Sequence, residues 1–272
     1  MKQRIVTGAL LITMTVILLL LPGWVMALTS FIFVAFAMWE EYRALSVAGH
    51  RIVTWPVWVS AILSIPLGYF CGHKVMVPLM GAALLLVCVC VLFREEPQLT
   101  DLSMSVLPLM TVLLPGLSIV NMSLLMPHAR EVVYLSLTLA VPLVGDIFAL
   151  FTGVKIGGKK LCPAVSPNKT IAGSIGGLVG SLVAAVMIYA VTCMACDEAT
   201  FAILPPWWHY LILGLLGGAV GQIGDLFASL VKRHSKIKDF SNLFPGHGGM
   251  LDRLDSVLFM AVLMYSYMLI CI

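Results

Sequence analysis

The sequence predicts an all-α, polytopic integral membrane protein of about nine transmembrane helices, with its N-terminus in the cytoplasm. Three observations carry this reading. Of 272 residues, 61% are hydrophobic and only 11% are charged. A soluble domain has about 25% charged residues, so water cannot be the solvent for most of this surface. The apolar residues are gathered into long uninterrupted runs, and crossing ~30 Å of hydrocarbon takes about 20 such residues in a helix. Finally, the lysines and arginines segregate to one side when the runs are threaded through a bilayer.

The runs fall at 5–21, 24–39, 52–70, 75–93, 104–126, 132–151, 171–194, 207–230 and 255–272. They are continuously apolar rather than alternating, which argues against barrel strands. The second, at 16 residues, is short and either re-enters the membrane or extends into its flanks. With the N-terminus inside, segments 1–4, 40–51, 94–103, 152–170 and 231–254 hold 14 of the 16 basic residues. Only Lys74 and Arg130 remain outside. The first run, with Lys2 and Arg4 before it and Val25-Met26-Ala27 after it, has the outline of a signal peptide; an uncleaved first span is the expected reading. The 7 cysteines form no framework, since Cys71, Cys88, Cys90, Cys193 and Cys271 lie in or beside spans, where cysteine behaves as a small hydrophobe. The 6 tryptophans read as an interfacial belt.

Polarity divides the chain into two regions. Residues 1–130 are about five spans with short connections, and residues 131–272 are the expected catalytic region with two longer cytoplasmic loops, 152–170 and 231–254. Loops of this length in a compact protein are usually functional. Gly145-Asp146-Ile147-Phe148-Ala149 echoes Gly224-Asp225-Leu226-Phe227-Ala228, and the Gly176-Gly177 and Gly217-Gly218 clusters echo each other. Such glycines permit close helix packing.

Chemistry concentrates in the second region. Asp225 falls inside the eighth run and Asp146 at the matching place in the sixth. An ionisable group there is a functional candidate, because inserting it costs roughly 2.5–3.5 kcal/mol. Pro245-Gly246-His247-Gly248-Gly249 precedes Asp252-Arg253-Leu254-Asp255. Glycines let backbone N–H groups approach phosphate oxygens. If the last helix begins near Asp252, Asp252 and Asp255 share one face at its start. Hard carboxylate oxygens beside phosphate sites suit Mg²⁺. Lys232, Arg233, Lys236 and Lys238 follow Asp225, and Ser166-Pro167-Asn168-Lys169-Thr170 opens the seventh run, where a helix N-terminus favours an anion. Carboxylates, lysines and glycine turns on one membrane side fit a divalent metal with a polyphosphate. Nothing points to a nucleic-acid partner.

The pattern Ser229-Leu230-Val231-Lys232-Arg233-x4-Lys238-Asp239-x4-Phe244-Pro245-Gly246-His247-Gly248-Gly249-x2-Asp252-Arg253-x-Asp255 closely resembles the signature of the phosphatidate cytidylyltransferase (CDP-diacylglycerol synthase) family. Ser166-Pro167-x-Lys169-Thr170-x2-Gly173 resembles a second block of that family. The likeness covers about residues 142–256 by motif and is architectural before that. It implies transfer of CMP from CTP to phosphatidic acid, releasing pyrophosphate, in a multi-pass protein of the cell (inner) membrane whose active site faces the cytoplasm. It also implies Mg²⁺, often with a monovalent cation such as K⁺; membrane lipid is the expected surrounding partner, and a homodimer is left open as the assembly. By position, Asp225, Asp252, Lys238 and His247 are the expected catalytic residues, and Asp225, Asp252 and Asp255 the metal carboxylates. Ser166, Lys169, Thr170, Lys232, Arg233, Asp239, Gly248, Gly249 and Arg253 are expected at the substrates. The chain departs from the pattern at Ala172 and Ala228, where many members carry Glu or, at the second position, another polar residue. Two other readings stand beside it: a CTP-dependent polyprenol or lipid kinase, and a cation-coupled transporter, which would place its ionisable groups nearer the bilayer midplane.

Overall fold

The computed structural model describes the chain apart from residues 1–12, 14, 15, 18, 22, 197, 199, 200, 202, 203, 245, 247 and 272. The first apolar run therefore lies largely outside the described residues. Each of the eight later runs coincides with a helix. These are α1 (Gly23–Val47), α2 (Trp55–Cys71), α3 (Met76–Leu92), α4 (Leu99–Pro108) continuing through a π-turn into α5 (Leu114–Leu125), α6 (His128–Ile156), α7 (Ile171–Ala195), α8 (Trp207–His234) and α9 (Leu251–Cys271). Six described stretches are long and apolar enough to cross a membrane, the α4–α5 stretch counting as one, and α2 and α3 are shorter apolar helices of 17 residues each. Their outward faces carry Ile62, Phe70, Val77, Val154, Met187 and Ile270, each more than 60% exposed. Such a surface suits hydrocarbon rather than water, and the fold is that of an all-helical membrane protein.

The second of the two alternatives for the short run holds, and the 152–170 loop gains detail. The short second run is no re-entrant stub: α1 has 25 residues and runs on through Glu40 and Glu41 to Val47. The 152–170 loop is mostly ordered structure. Helix α6 continues to Ile156, and then β1 (Lys160–Cys162) pairs antiparallel with β2 (Ser166–Thr170), Lys160 opposite Thr170 and Cys162 opposite Ser166. The second loop also shrinks, because α8 extends to His234 and α9 begins at Leu251.

The chain forms two compact units. The first comprises Met1–Thr15, Trp24–Leu125 and Val231–Arg253. Its core includes Met38, Leu45, Leu109, Leu113 and Met122, all fully buried. A π-turn at Leu109–Leu113, entered from Pro108, turns the Thr111 hydroxyl so that it donates to Glu41 Oε2 at 2.8 Å. That bond satisfies a carboxylate with only 1% of its surface exposed. Tyr42 donates to the Ser105 carbonyl at 3.1 Å. Asp101, buried in α4, pairs with Arg94 and accepts from the Arg51 N–H.

The second unit comprises Val16–Gly23, Met126–Leu230 and Leu254–Ile272. Tyr134, Leu137, Tyr210, Leu258, Met260 and Met264 are its buried centre. Helices α6 and α7 approach closely along small residues: a Cβ on Gly173 would meet the Ala149 carbonyl at 2.9 Å, and one on Gly180 the Phe148 Cβ at 2.5 Å. Ser181 Oγ donates to the Val141 carbonyl at 3.0 Å across the same seam. These contacts are small-residue packing of the kind membrane helices use where no hydrophobic force drives them together.

Candidate active site

In the second unit the hairpin delivers a lysine to a carboxylate. Thr170 ends β2 and caps α7, its Oγ1 accepting from the Gly173 N–H at 3.0 Å. That is the usual role of a threonine before a helix, satisfying one of the first N–H groups. Lys169, the residue before it, is therefore held in extended backbone and forms an ion pair with Asp225 Oδ2 on α8. One turn earlier on α8, Gln222 accepts from Ser174 Oγ and donates from Nε2 to the Ser174 carbonyl at 3.0 Å. The two helices are thus locked beside the pair. Both partners keep about a quarter of their side-chain surface open (26% and 28%), so the pair adds little stability and stays reachable by a ligand. Ser166 is half-buried at the start of β2, Asp146 is exposed, and Asp255 accepts the Ser256 N–H at 2.7 Å.

In the first unit the signature segment folds around a second carboxylate. Lys232 and Arg233 lie in the last turn of α8, where basic side chains complement the helix dipole. The helix ends in a left-handed residue, Lys236 (φ 53°), with the Ile237 N–H returning to the Lys232 carbonyl at 3.0 Å. Glycine is usual at that position. Lys238 and Asp239 follow, both exposed, and then Phe240 turns inward with 4% exposure. Asp252, in the first turn of α9, gathers the ends of this segment. Its Oδ1 pairs with Lys232 Nζ at 2.7 Å, and its Oδ2 accepts the N–H groups of Phe240 and Gly249, each at 2.9 Å. Lys232 Nζ also lies 5.4 Å from the centre of the Phe240 ring. Gly248 has φ +79° and faces Asp252 so closely that a Cβ would meet Oδ2 at 2.8 Å. Glycine is required there on both counts. Arg253 is exposed. His247 lies outside the described residues.

Lys169 and Asp225 are thus brought together, as are Lys232, Gly249 and Asp252. Lys238, Asp239 and Arg253 stand in the open, where a ligand can reach them. Sequence reasoning missed Glu40. Its carboxylate is 1% exposed and accepts from Ser241 Oγ at 2.5 Å, from the Met250 N–H at 2.9 Å and from the Leu251 N–H at 2.7 Å. The available signal was two adjacent carboxylates at the end of an apolar run, the same oddity that singled out Asp225. It was lost because the run was ended at residue 39. No motif singles out His50 and His234, yet their Nε2 atoms lie 2.8 Å apart with the rings stacked, which ties the end of α8 to the chain just beyond α1.

Asp225 in the second unit and Asp252 in the first each offer the kind of hard oxygen that Mg²⁺ takes. Among the described residues no three His, Cys, Asp or Glu side chains gather as ligands to one ion. Mg²⁺ needs no such cage, since one or two carboxylates with water and substrate phosphates complete its octahedron. A carboxylate has about four acceptor sites; Asp225 keeps 28% of its side-chain surface open, whereas Asp252 keeps 4% and already takes three donors.

A model of the cytidylyltransferase family matches residues 2–271. Similar curated proteins include the phosphatidate cytidylyltransferase of Bacillus subtilis, 43% identical over 121 residues, which are 44% of this chain and 41% of that protein. That of Brucella abortus is 41% identical over 122 residues, 45% of this chain and 42% of the relative. That of Rickettsia bellii is 36% identical over 120 residues, 44% of this chain and 51% of the relative. The match spans about two fifths to one half of the length of these relatives. With its family pattern running through nearly every residue, the chain belongs to the cytidylyltransferase family.

Proposed function

We propose that the protein transfers CMP from CTP to phosphatidic acid at the cytoplasmic face of the cell (inner) membrane, giving CDP-diacylglycerol and pyrophosphate. The observation that carries this reading is the signature segment, 27 residues from Ser229 to Asp255, folded so that Lys232, the Gly248–Gly249 backbone and Asp252 meet. The family and the likeness to known phosphatidate cytidylyltransferases support it.

In the proposed reaction a phosphate oxygen of phosphatidate attacks the α-phosphorus of CTP. The bond from that phosphorus to the β-phosphate oxygen breaks, and pyrophosphate departs with the bond's electrons. Little covalent chemistry falls to the protein, so its residues position the reactants and neutralise spreading charge. Lys169 and Lys232 are ammonium groups already held beside carboxylates. An arriving phosphate therefore meets an oriented donor rather than a mobile one. Lys238 and Arg253 extend the positive field at exposed positions, where a soluble nucleotide arrives. Mg²⁺, to which Asp225 and Asp252, each in its own unit, could offer a carboxylate, would supply charge neutralisation on the phosphates. The lipid's acyl tails stay in hydrocarbon throughout, which suits chemistry at helix ends.

The test is an assay of the purified protein in detergent with phosphatidate and CTP, labelled in separate reactions at the α- or the γ-phosphate, with and without Mg²⁺. Label from the α-position alone entering lipid, dependent on Mg²⁺, is the expected result. Transfer of γ-label would mean a kinase, and no transfer of either would overturn the assignment.

A further inference from the structure

We propose that Glu40, on the first described helix, is a positioning residue for the signature segment, fixing from α1 the backbone at Ser241, Gly249, Met250 and Leu251. The role in catalysis rests on the function proposed above; the contact itself does not.

A carboxylate with 1% of its surface exposed is tolerated only where donors satisfy it. Among the described residues, each donor recorded on Glu40 belongs to one short segment about 200 positions along the chain: Ser241 Oγ and the Met250 N–H on Oε1, and the Leu251 N–H on Oε2. Two of these are backbone groups at the start of α9, donors that no helical carbonyl can take. They also lie at the positive end of the helix dipole. Glu40 therefore caps α9 from another helix, and with Ser241 it holds both ends of the 241–251 segment.

Gly249 gives independent support. A Cβ at this residue would lie 2.5 Å from Glu40 Oε1 and 2.6 Å from Oε2. The backbone is pressed against the carboxylate more closely than any side chain allows. In the sequence, Gly248-Gly249 reads as a place where backbone approaches phosphate. In the fold, the anion against which Gly249 lies is the protein's own Glu40, and the one beside Gly248 is Asp252. The segment from Phe240 to Asp252 is closed around two carboxylates, one its own and one supplied by α1. Disturbing Glu40 thus loosens the backbone at Gly249, Met250 and Leu251 without touching Lys232 or Asp252.

The test uses the full-length protein in detergent and two readouts. Hydrogen exchange reports the segment directly, whatever the reaction is. Glu40→Gln keeps the shape but turns an NH₂ group toward an N–H donor, so exchange at Met250 and Leu251 should quicken about tenfold or more, against unchanged α6 amides. In the cytidylyl-transfer assay the same variant should raise the KM for CTP about tenfold with a smaller change in kcat, as expected when three hydrogen bonds to one charge are weakened. A cap that merely stabilises the protein would leave KM alone. Gly249→Ala should give a similar loss, and Glu40→Ala with Gly249→Ala should be no worse than the poorer single variant, because both act through one contact. Ser241→Ala, which removes one donor of three, is the milder version should the others fail to fold, with about a two- to fivefold rise in KM. Additive losses, or unchanged exchange at Met250 and Leu251, would overturn the proposal. If wild-type protein transfers no label, the functional reading fails while the exchange experiment still decides the clamp.

Discussion

Lys232 and Asp252 stand 20 positions apart in the chain and 2.7 Å apart in space, with 16% and 4% of their side-chain surfaces exposed. Asp252 also holds two backbone N–H groups on its other oxygen. It is therefore both a proposed Mg²⁺ ligand and the knot that closes its own loop. Asp225 faces only partly buried surroundings and one recorded lysine partner.

That difference separates two variants expected to look alike in an activity assay. Asp225→Asn and Asp252→Asn should each lower turnover more than tenfold, since a tenfold loss is only about 1.4 kcal/mol of barrier. Thermal unfolding in detergent should part them. Asp225→Asn should change stability by less than about 1 kcal/mol, because an ion pair about a quarter exposed contributes little. Asp252→Asn should cost about 2–4 kcal/mol, because it leaves a buried ammonium group without its counter-charge. Equal unfolding behaviour in the two would contradict the picture of Asp252 as the organiser.

The basic loop offers a second contrast. Lys238 is exposed within the signature, and its replacement by Gln should reduce kcat/KM about 10- to 150-fold if it bonds a phosphate, the range for charge-assisted hydrogen bonds of about 1.5–3 kcal/mol. Lys236→Gln, two residues earlier, should be nearly silent. Comparable small losses at both positions would reduce the loop to a diffuse positive field.

Lys236 makes a further prediction about stability. It occupies the left-handed position that ends α8, with φ 53°. Lys236→Gly should be neutral or stabilising by up to about 1 kcal/mol, since glycine enters that region without steric penalty. A clear fall in the unfolding midpoint would show that the lysine side chain contributes something beyond its backbone conformation.

Packing of α6 on α7 is testable by adding one methyl group. In Gly180→Ala the new Cβ falls 2.5 Å from the Phe148 Cβ, and such overpacking should cost about 1–3 kcal/mol. Gly81→Ala on α3 meets nothing within 4 Å and should be neutral or slightly stabilising, as alanine favours helix by about 1 kcal/mol over glycine. Both are read from unfolding in detergent.

Membrane sidedness, expected from the basic residues, is open to cysteine labelling in a variant lacking the seven native cysteines. Cysteine at Lys160 and Asn242 should react from the cytoplasmic side and cysteine at Glu198 from the other. Reaction of Lys160 and Glu198 positions from one side would remove α7 as a span.

What the sequence determined by itself is what depends on short stretches of chain. Each apolar run from residue 24 onward became a helix, because hydrocarbon sets both the composition and the length a span needs. Asp225 and the Ser-Pro-Asn-Lys-Thr stretch were legible for the same reason: a carboxylate in an apolar run and a threonine before a helix are local signals. The tertiary structure decided who satisfies whom. Nothing within reach of Glu40 along the chain shows that its donors are Ser241, Met250 and Leu251, 201 to 211 positions away. Nor does the glycine run show that its close neighbours are the carboxylates of Glu40 and Asp252. A buried charge must find donors, but which donors is settled only when distant helices pack, and packing is not written in the period of any one of them.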